Sequence, residues 1–270
     1  MRVVVIGANG FLGSAFVRLC QRWGIGCVAV TRDNYQQHQG QPADVVINAD
    51  GNSKKYLAAT DPIADLELSV ASTLHICLDF PAGIHVFCSS VDVYNDVSDP
   101  AANAESAAIV PERLSNYGFH KYLAEQVVRK YAPSWLIVRL GGMVGPGLKK
   151  NPVFDVLCGR RLWVHPDSRY QYISTDDVAS IVLALVQQGY EREVFNVCGD
   201  GLVSVRQVLA MVGREPQPSD LAPELYNVNI DKIKSVLPVP RTVATAATFV
   251  KAFREARETA LPSSGGRRRR

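Results

Sequence analysis

The run Arg2-Val3-Val4-Val5-Ile6 passes straight into Gly7-Ala8-Asn9-Gly10-Phe11-Leu12-Gly13. This junction constrains the fold more than any other feature of the chain. A branched apolar run bounded by glycine reads as a strand buried on both faces. Residues 11–23 read as a helix, because Phe11, Leu12, Ala15, Phe16 and Leu19 form one apolar stripe. Glycines at three-residue spacing between a strand and a helix allow positive φ and let the backbone approach a diphosphate. The helix N-terminus adds free N–H groups and partial positive charge. Gly7, Asn9, Gly10, Phe11, Leu12 and Gly13 are therefore candidate contacts for a dinucleotide. The competing reading is a turn and helix start with no ligand.

The same alternation continues along the chain. Strands are expected at Cys27–Thr31, Val45–Asn48, Ile84–Cys88 and Trp135–Arg139. Asp61-Pro62 opens a helix reaching Asp79, with Asp as N-cap and Pro at the first helical position. A longer helix is expected from Pro111 to Tyr131. The polar stretch between Thr31 and Ala43 is too short for a crossover helix and reads as a loop or single turn. Strand–helix alternation of this kind implies the α/β class, a Rossmann-type doubly wound parallel sheet with a small C-terminal substrate lobe. The dinucleotide-binding domain is expected over 1–148, with contributions from about 170–198, and the lobe over 149–260. Helices near 152–159, 175–188, 204–212 and 241–257 build the latter.

Composition excludes several classes. At 47% hydrophobic and 20% charged residues over 270, the chain is ordinary for a globular protein. No apolar run approaches a membrane span, so no membrane association is expected. The N-terminus lacks the layout of a signal peptide. The net charge of +3 rests on the closing Arg-Arg-Arg-Arg; without it, 25 basic face 26 acidic residues. No nucleic-acid partner is therefore expected, and residues 261–270 read as a disordered basic tail. The six cysteines show no C-x-x-C pair, which fits reduced thiols and cytoplasmic placement. The five histidines show no ligand spacing, so no metal site is expected.

The end of the second strand bears on the cofactor. An acidic side chain there would bond the ribose 2′-hydroxyl of NAD. Here Thr31 holds that place and Arg32 follows. A guanidinium grips a 2′-phosphate where a carboxylate would repel it. NADP is the favoured cofactor, with NAD possible because Asp33 lies one residue on. Asn48 and Ala49, at the end of the third strand, complete the cofactor set.

Tyr117-Gly-Phe-His-Lys121 places a phenol and an ammonium on one face of a helix. A neighbouring ammonium is expected to lower the phenol's pKa. Such a tyrosine can exchange a proton with a carbonyl or hydroxyl oxygen as hydride moves. The fourth strand ends Cys88-Ser89-Ser90-Val91-Asp92-Val93-Tyr94, where parallel sheets do chemistry.

With GANGFLG, DVVINADG, SSVDVY, YGFHKYLAE, RLGGMVGPG and STDDVA in this order, the chain resembles the extended short-chain dehydrogenase/reductases of the epimerase/dehydratase type. The resemblance implies Ser90, Tyr117 and Lys121 as the catalytic triad, with Lys121 also on the nicotinamide ribose. Ser90 is chosen over Ser89 because it lies four residues before Tyr94. Where dehydratases of the family carry an Asp-Glu pair, this chain has Val91 and Asp92, which argues against a 4,6-dehydratase. The family's Asn after RLGGMVGPG and in its N-V-x-G-T motif are Gly142 and Ser69 here. Asn48 in place of a histidine, with the short loop after Thr31, resembles the reductases of 4-keto nucleotide sugars.

The resemblance also suggests Asp92, Lys150, Asn151 and Arg169 as substrate contacts, against the alternative of a loop cap or solvated charges. It implies a homodimer joined through helices 61–79 and 111–131. The expected activity is NAD(P)-dependent hydride transfer on a nucleotide sugar or related keto compound, with Tyr117 as general acid/base. An epimerase with retained NAD and a non-catalytic NADP-binding sensor are the alternatives.

Overall fold

The computed structural model describes residues 1–260; the basic tail expected over 261–270 lies outside the described residues. Six strands form one parallel sheet: β1 (Arg2–Ile6), β2 (Gly26–Val30), β3 (Ala43–Asn48), β4 (Ala82–Ser90), β5 (Trp135–Leu140) and β9 (Glu193–Val197). Their order is β2-β1-β3-β4-β5-β9. The chain reverses direction across the sheet between β1 and β3, and crevices for ligands open at such switch points.

The branched residues of these strands point alternately to two faces. Val3, Val5, Ile47, Val86 and Val138 pack with Phe16 and Leu19 of α1 (Gly13–Arg22) and Val182 of α8 (Thr175–Gln187). Val4 and Val46 pack with Ile76 and Phe80 on the opposite side, beside α5 (Ser72–Asp79). Phe87 and Ile137 meet Ala124 and Val128 of α6 (Asn116–Tyr131) on that same side. Burial on both faces is why these strands read as continuous apolar runs.

The stretch after Thr31 is one helical turn, α2 (Tyr35–His38), as its polarity suggested. Asp61 caps α4 (Pro62–Leu66) by accepting from the Ala64 amide at 3.0 Å. That helix runs through a π-helical segment, Glu67–Ala71, into α5 and ends at Asp79. A short helix, α3 (Lys55–Thr60), precedes it and had no periodic signal. The expected helix from Pro111 is corrected. Pro111–Arg113 is a single 3-10 turn, Leu114 and Ser115 are extended, and α6 starts at Asn116. The physical reason is a cap: the Ser115 hydroxyl accepts from the Gly118 amide at 3.2 Å and opens the helix there.

Beyond β5, two small sheets build the lobe. β6 (Gly142–Val144) pairs with β8 (Tyr172–Ser174), and β7 (Arg169–Tyr170) with β10 (Val203–Ser204). α7 (Pro152–Cys158), α9 (Val205–Met211) and α11 (Thr242–Ala260) enclose a second core around Val156, Val208 and Val250. α10 (Asp231–Val236) lies against β9. No described helix is long and apolar enough to cross a membrane.

One buried ionic network ties α6 to the sheet. Arg139 of β5 donates twice to Glu125, at 3.0 and 2.7 Å, and Ser89 donates to the same carboxylate at 2.6 Å. Removing one partner of such a pair typically costs about 3–5 kcal/mol.

His85 on β4 is buried, and its Nε2 has no hydrogen-bond partner among the described residues. Burial pushes its pKa down from 6.5 to about 4, against a smaller opposing effect of a hydrogen bond with the Phe80 main chain. The unfolded chain thus takes up a proton between these values that the folded chain refuses. Stability is full above about pH 6.5 and falls by on the order of 3 kcal/mol as pH drops through about 4. In urea titrations, His85→Gln is expected to flatten the stability difference between pH 7 and pH 4.5. An unchanged slope in the variant contradicts this.

Candidate active site

The first strand delivers the chain to Gly7 at φ +76°, a conformation an L side chain rarely adopts. α1 then starts so close to β1 that a Cβ on Gly13 would stand 2.1 Å from the Gly7 carbonyl oxygen. A Cβ on Gly7 would meet the main chain of Ala49 at 3.0 Å. The turn is closed by the Gly10 amide on the Gly7 carbonyl at 2.8 Å. The amides of Phe11 and Leu12 find no acceptor among the described residues and lie where α1 begins. Two tight glycine contacts and free amides at a helix N-terminus fit a dinucleotide diphosphate. Asn9 is exposed on the same turn.

At the end of β2, Asn34 organises the backbone. Its Oδ1 accepts from the Thr31 amide at 2.7 Å and the Thr31 hydroxyl at 3.3 Å, and its Nδ2 donates to the Ala29 carbonyl at 3.0 Å. Arg32 and Asp33 are both exposed beyond it. Asn34 escaped the sequence reading because an isolated Asn in a polar loop has no distinctive spacing. Asn48 is buried and serves the turn after β3: its Oδ1 accepts from the Asp50 amide at 3.1 Å, and its Nδ2 donates to Thr73 at 3.4 Å.

β4 and α6 bring Ser90, Tyr117 and Lys121 to the carboxyl edge of the sheet. All three are buried, with Tyr117 9% exposed. The Lys121 ammonium donates to the Cys88 carbonyl at 3.4 Å. Burial lowers its pKa, opposed by surrounding anionic groups that include Asp50 and Asp65. The expected lowering of the Tyr117 pKa is corrected. Burial pushes the phenol above its ordinary range, and Asp92 and Asp65 push the same way. The ammonium that opposes them is Lys55, with help from the Ser90 hydroxyl. Desolvation of a nearly sealed phenol outweighs the neighbouring positive charge.

Tyr117 lies in a cleft of about 260 Å³ that is also lined by Lys55, Asp92, Ser115, Asn116 and Tyr226. Asp92 is its hub. Ser90 Oγ donates to Asp92 Oδ2 at 2.8 Å; Lys55 Nζ and Tyr226 Oη donate to Oδ1 at 2.6 and 3.1 Å. Lys55 sits on α3 and Tyr226 in an irregular stretch of the lobe, so neither had a pattern that could flag it. A second missed pair lies behind α6. His120 Nδ1 meets the fully buried Asp65 carboxylate at 2.7 Å, and Asn52 donates to that carboxylate at 2.7 Å.

The remaining substrate candidates separate. The Lys150 ammonium donates to the Ser53 carbonyl, and its pKa is lowered by burial and by Lys54 and Lys55. Arg169 is exposed on β7, and its carbonyl accepts from the Tyr226 amide at 2.9 Å. Asn151 is corrected to a cap. Its Oδ1 accepts from the Phe154 amide at 2.8 Å and its Nδ2 donates to the Met143 carbonyl at 2.9 Å, so its amide is spent on starting α7. Among the described residues, no cluster of three or more His, Cys, Asp or Glu could hold a metal ion.

Comparison with known proteins agrees with this geometry. The NAD dependent epimerase/dehydratase family model matches residues 3–198. The chain belongs to that family and is an NAD(P)-dependent enzyme. It is 25% identical over 189 residues to a GDP-6-deoxy-D-mannose reductase of Pseudomonas aeruginosa, covering 63% of this chain and 62% of that protein. It is 25% identical over 266 residues to a dTDP-4-dehydro-6-deoxy-D-allose reductase of Streptomyces bikiniensis, covering 78% of this chain and 81% of that one. In three dimensions it resembles RMD from Pseudomonas aeruginosa complexed with NADPH, with a TM-score of 0.78 at 19% identity over 95% of this chain and all of that one.

The glycine contacts lead to one expected outcome. Gly13→Ala is expected to abolish NADPH binding in a fluorescence titration, because the methyl group meets main chain that cannot yield. Gly26→Ala is the control, since a Cβ there stands 3.6 Å from the Met1 carbonyl. Equal binding by both variants contradicts the assignment of this turn to the dinucleotide.

Proposed function

We propose that the chain is an NADP-dependent reductase of a 4-keto nucleotide sugar. The observation that carries this reading is the buried Tyr117 lining a small cleft, with Ser90 and Lys121 also buried at the carboxyl edge of the sheet that holds the glycine turn. The names of the two relatives support the nucleotide-sugar substrate. Residues 1–148, with β9 and α8, hold the dinucleotide, and residues 149–260 form most of the substrate lobe.

When held by the glycine turn and Lys121, NADPH would supply the hydride that the substrate carbonyl carbon takes up. Tyr117 donates its proton to the carbonyl oxygen, and its raised pKa keeps that proton in place until charge develops there. Ser90 orients the oxygen. Lys121 holds the nicotinamide ribose. Lys150 and Arg169 take the substrate's diphosphate at the mouth of the cleft, and the lining residues around Asp92 meet the sugar. Thr31 and Arg32 select NADP, because no carboxylate stands at the Thr31 position and a guanidinium follows.

We also propose a homodimer. Ile63, Leu66, Leu68 and Leu78 are exposed on one continuous helical stretch, and Tyr131 is exposed at the end of α6. Exposed apolar residues on both of these helical stretches fit a partner face.

Two variants test the reading. Tyr117→Phe is expected to lower kcat about 10²–10⁴-fold on a dTDP- or GDP-linked 4-keto-6-deoxyhexose, with NADPH binding retained. A loss smaller than about tenfold contradicts Tyr117 as the general acid. Arg32→Ala is expected to weaken NADPH about tenfold or more while leaving NADH nearly unchanged, since a charge-assisted contact contributes about 1.5–3 kcal/mol. Equal loss for both cofactors contradicts the selection of NADP. An epimerase would interconvert its sugar without net NADPH consumption, and a sensor would retain its response in Tyr117→Phe.

A further inference from the structure

Among the described residues, the buried Lys121 ammonium makes one hydrogen bond, to the Cys88 carbonyl at 3.4 Å, and the centre of the Phe87 ring lies 5.2 Å away. An ammonium carries three donors, and burying its charge without compensation is costly. Burial lowers its pKa. The groups that oppose burial are Cys88 on β4, Asp50 in the turn after β3, Asp65 on α4 and Glu125 on α6. Three of these are poor counter-charges. Burial pushes the Cys88 thiol up to about 12, so it is neutral near pH 7. Glu125 is committed to Arg139. Asp50 is half-buried, where water screens it. Asp65 is fully buried, and its hydrogen-bond partners are His120, Asn52 and Ser69, with no lysine or arginine among them.

The Asp65 carboxylate also holds the walls around that ammonium. His120 Nδ1 meets Oδ2 at 2.7 Å, and His120 is the residue before Lys121 on α6. Asn52 donates to Oδ1 at 2.7 Å, and it follows Gly51, where a Cβ would stand 3.6 Å from Lys121 Nζ. Asn52 closes its own turn, donating to the Lys54 carbonyl at 2.9 Å and accepting from the Lys54 amide at 2.7 Å. Ser69 donates to Oδ1 at 3.3 Å from the π-helical segment, and Thr73 donates to the Ser69 carbonyl at 2.7 Å. Segments of this kind recur at functional sites. One carboxylate thus ties α6, the turn after β3 and the helical stretch 62–79 together around a single ammonium.

We propose that Asp65 is a positioning residue for Lys121, fixing where its ammonium stands and keeping that group charged when the dinucleotide ribose binds. The inference rests on the placement of Lys121 against the ribose and goes beyond it. Asp65 has no exposed surface, so it acts only through its neighbours. The titratable groups that face it are His120, Lys121 and Tyr117; on the Tyr117 phenol its effect comes after the larger ones of burial and Asp92. Packing alone would be served as well by an apolar side chain, since buried ionic groups rarely add net stability.

The test is the pH dependence of NADPH affinity, read by fluorescence titration from about pH 6 to about pH 11 wherever circular dichroism shows the fold intact. Wild type is expected to bind tightly while Lys121 is charged. Its affinity should fall as pH rises through a value below the ordinary lysine pKa of 10.5. Asp65→Asn keeps the size of the side chain and removes its charge, so the fall is expected about half a pH unit or more lower. A uniform loss at every pH, with the fall where wild type has it, marks Asp65 as a structural tether and overturns the inference. So does wild-type affinity throughout. Should Asp65→Asn not fold, His120→Asn leaves the carboxylate in place and offers it another donor. Its fall is expected at the wild-type pH or higher, and a fall displaced downward overturns the inference. Lys121→Met is expected to weaken NADPH at least about fivefold near neutral pH and to remove the alkaline fall. If Lys121→Met binds NADPH as wild type does, the placement of Lys121 on the ribose is overturned, and the role of Asp65 with it. If Lys121→Met weakens binding while Asp65→Asn leaves the fall unmoved, the role of Asp65 alone is overturned.

Discussion

The Arg139–Glu125 pair is the interaction on which the placement of this site depends. Both side chains are nearly or fully buried, and Ser89 adds a third hydrogen bond. An uncompensated charge there would be intolerable, so β4, β5 and α6 cannot slide past one another. Tyr117, Lys121 and Glu125 recur at four-residue intervals and share one face of α6. Glu125 is the member of that row that the sheet grips. With it fixed, Lys121 comes to lie under Cys88 and Tyr117 beside Ser90, the residue that follows Ser89 on β4.

A second constraint acts at the other end of the sheet. The close approach of Gly13 to the Gly7 carbonyl brings α1 almost into contact with β1. Together the two constraints set the glycine turn and the tyrosine on one carboxyl edge, across the switch point between β1 and β3. The chemistry then follows from burial. A phenol raised in pKa by desolvation holds its proton well, which suits a general acid acting on a carbonyl.

Much of this was legible in the sequence, and for physical reasons. Strands buried on both faces betray themselves as branched apolar runs, and the glycine spacing records a steric demand. Asp61-Pro62 and the Tyr117–Lys121 spacing are local signals that the fold did not override. The failures share a cause. The start of α6 was misread because Pro111 looks like a helix opener, whereas the Ser115 cap decides. Asn151 was read as a ligand contact because an Asn after a glycine loop looks the same whether it caps a helix or binds a substrate. The lowered tyrosine pKa was inferred from spacing, which carries no information on desolvation. Lys55 and Tyr226 meet only through tertiary structure, 171 positions apart in the chain.

The central claim is that this enzyme consumes NADPH and does not recycle a retained cofactor. The most direct measurement is to denature the purified protein and identify and quantify any nicotinamide released. The account predicts a site far from filled, taking up NADPH more tightly than NADH. Near-stoichiometric, non-exchanging NAD would contradict it and mark the chain as an epimerase that returns its hydride to the substrate.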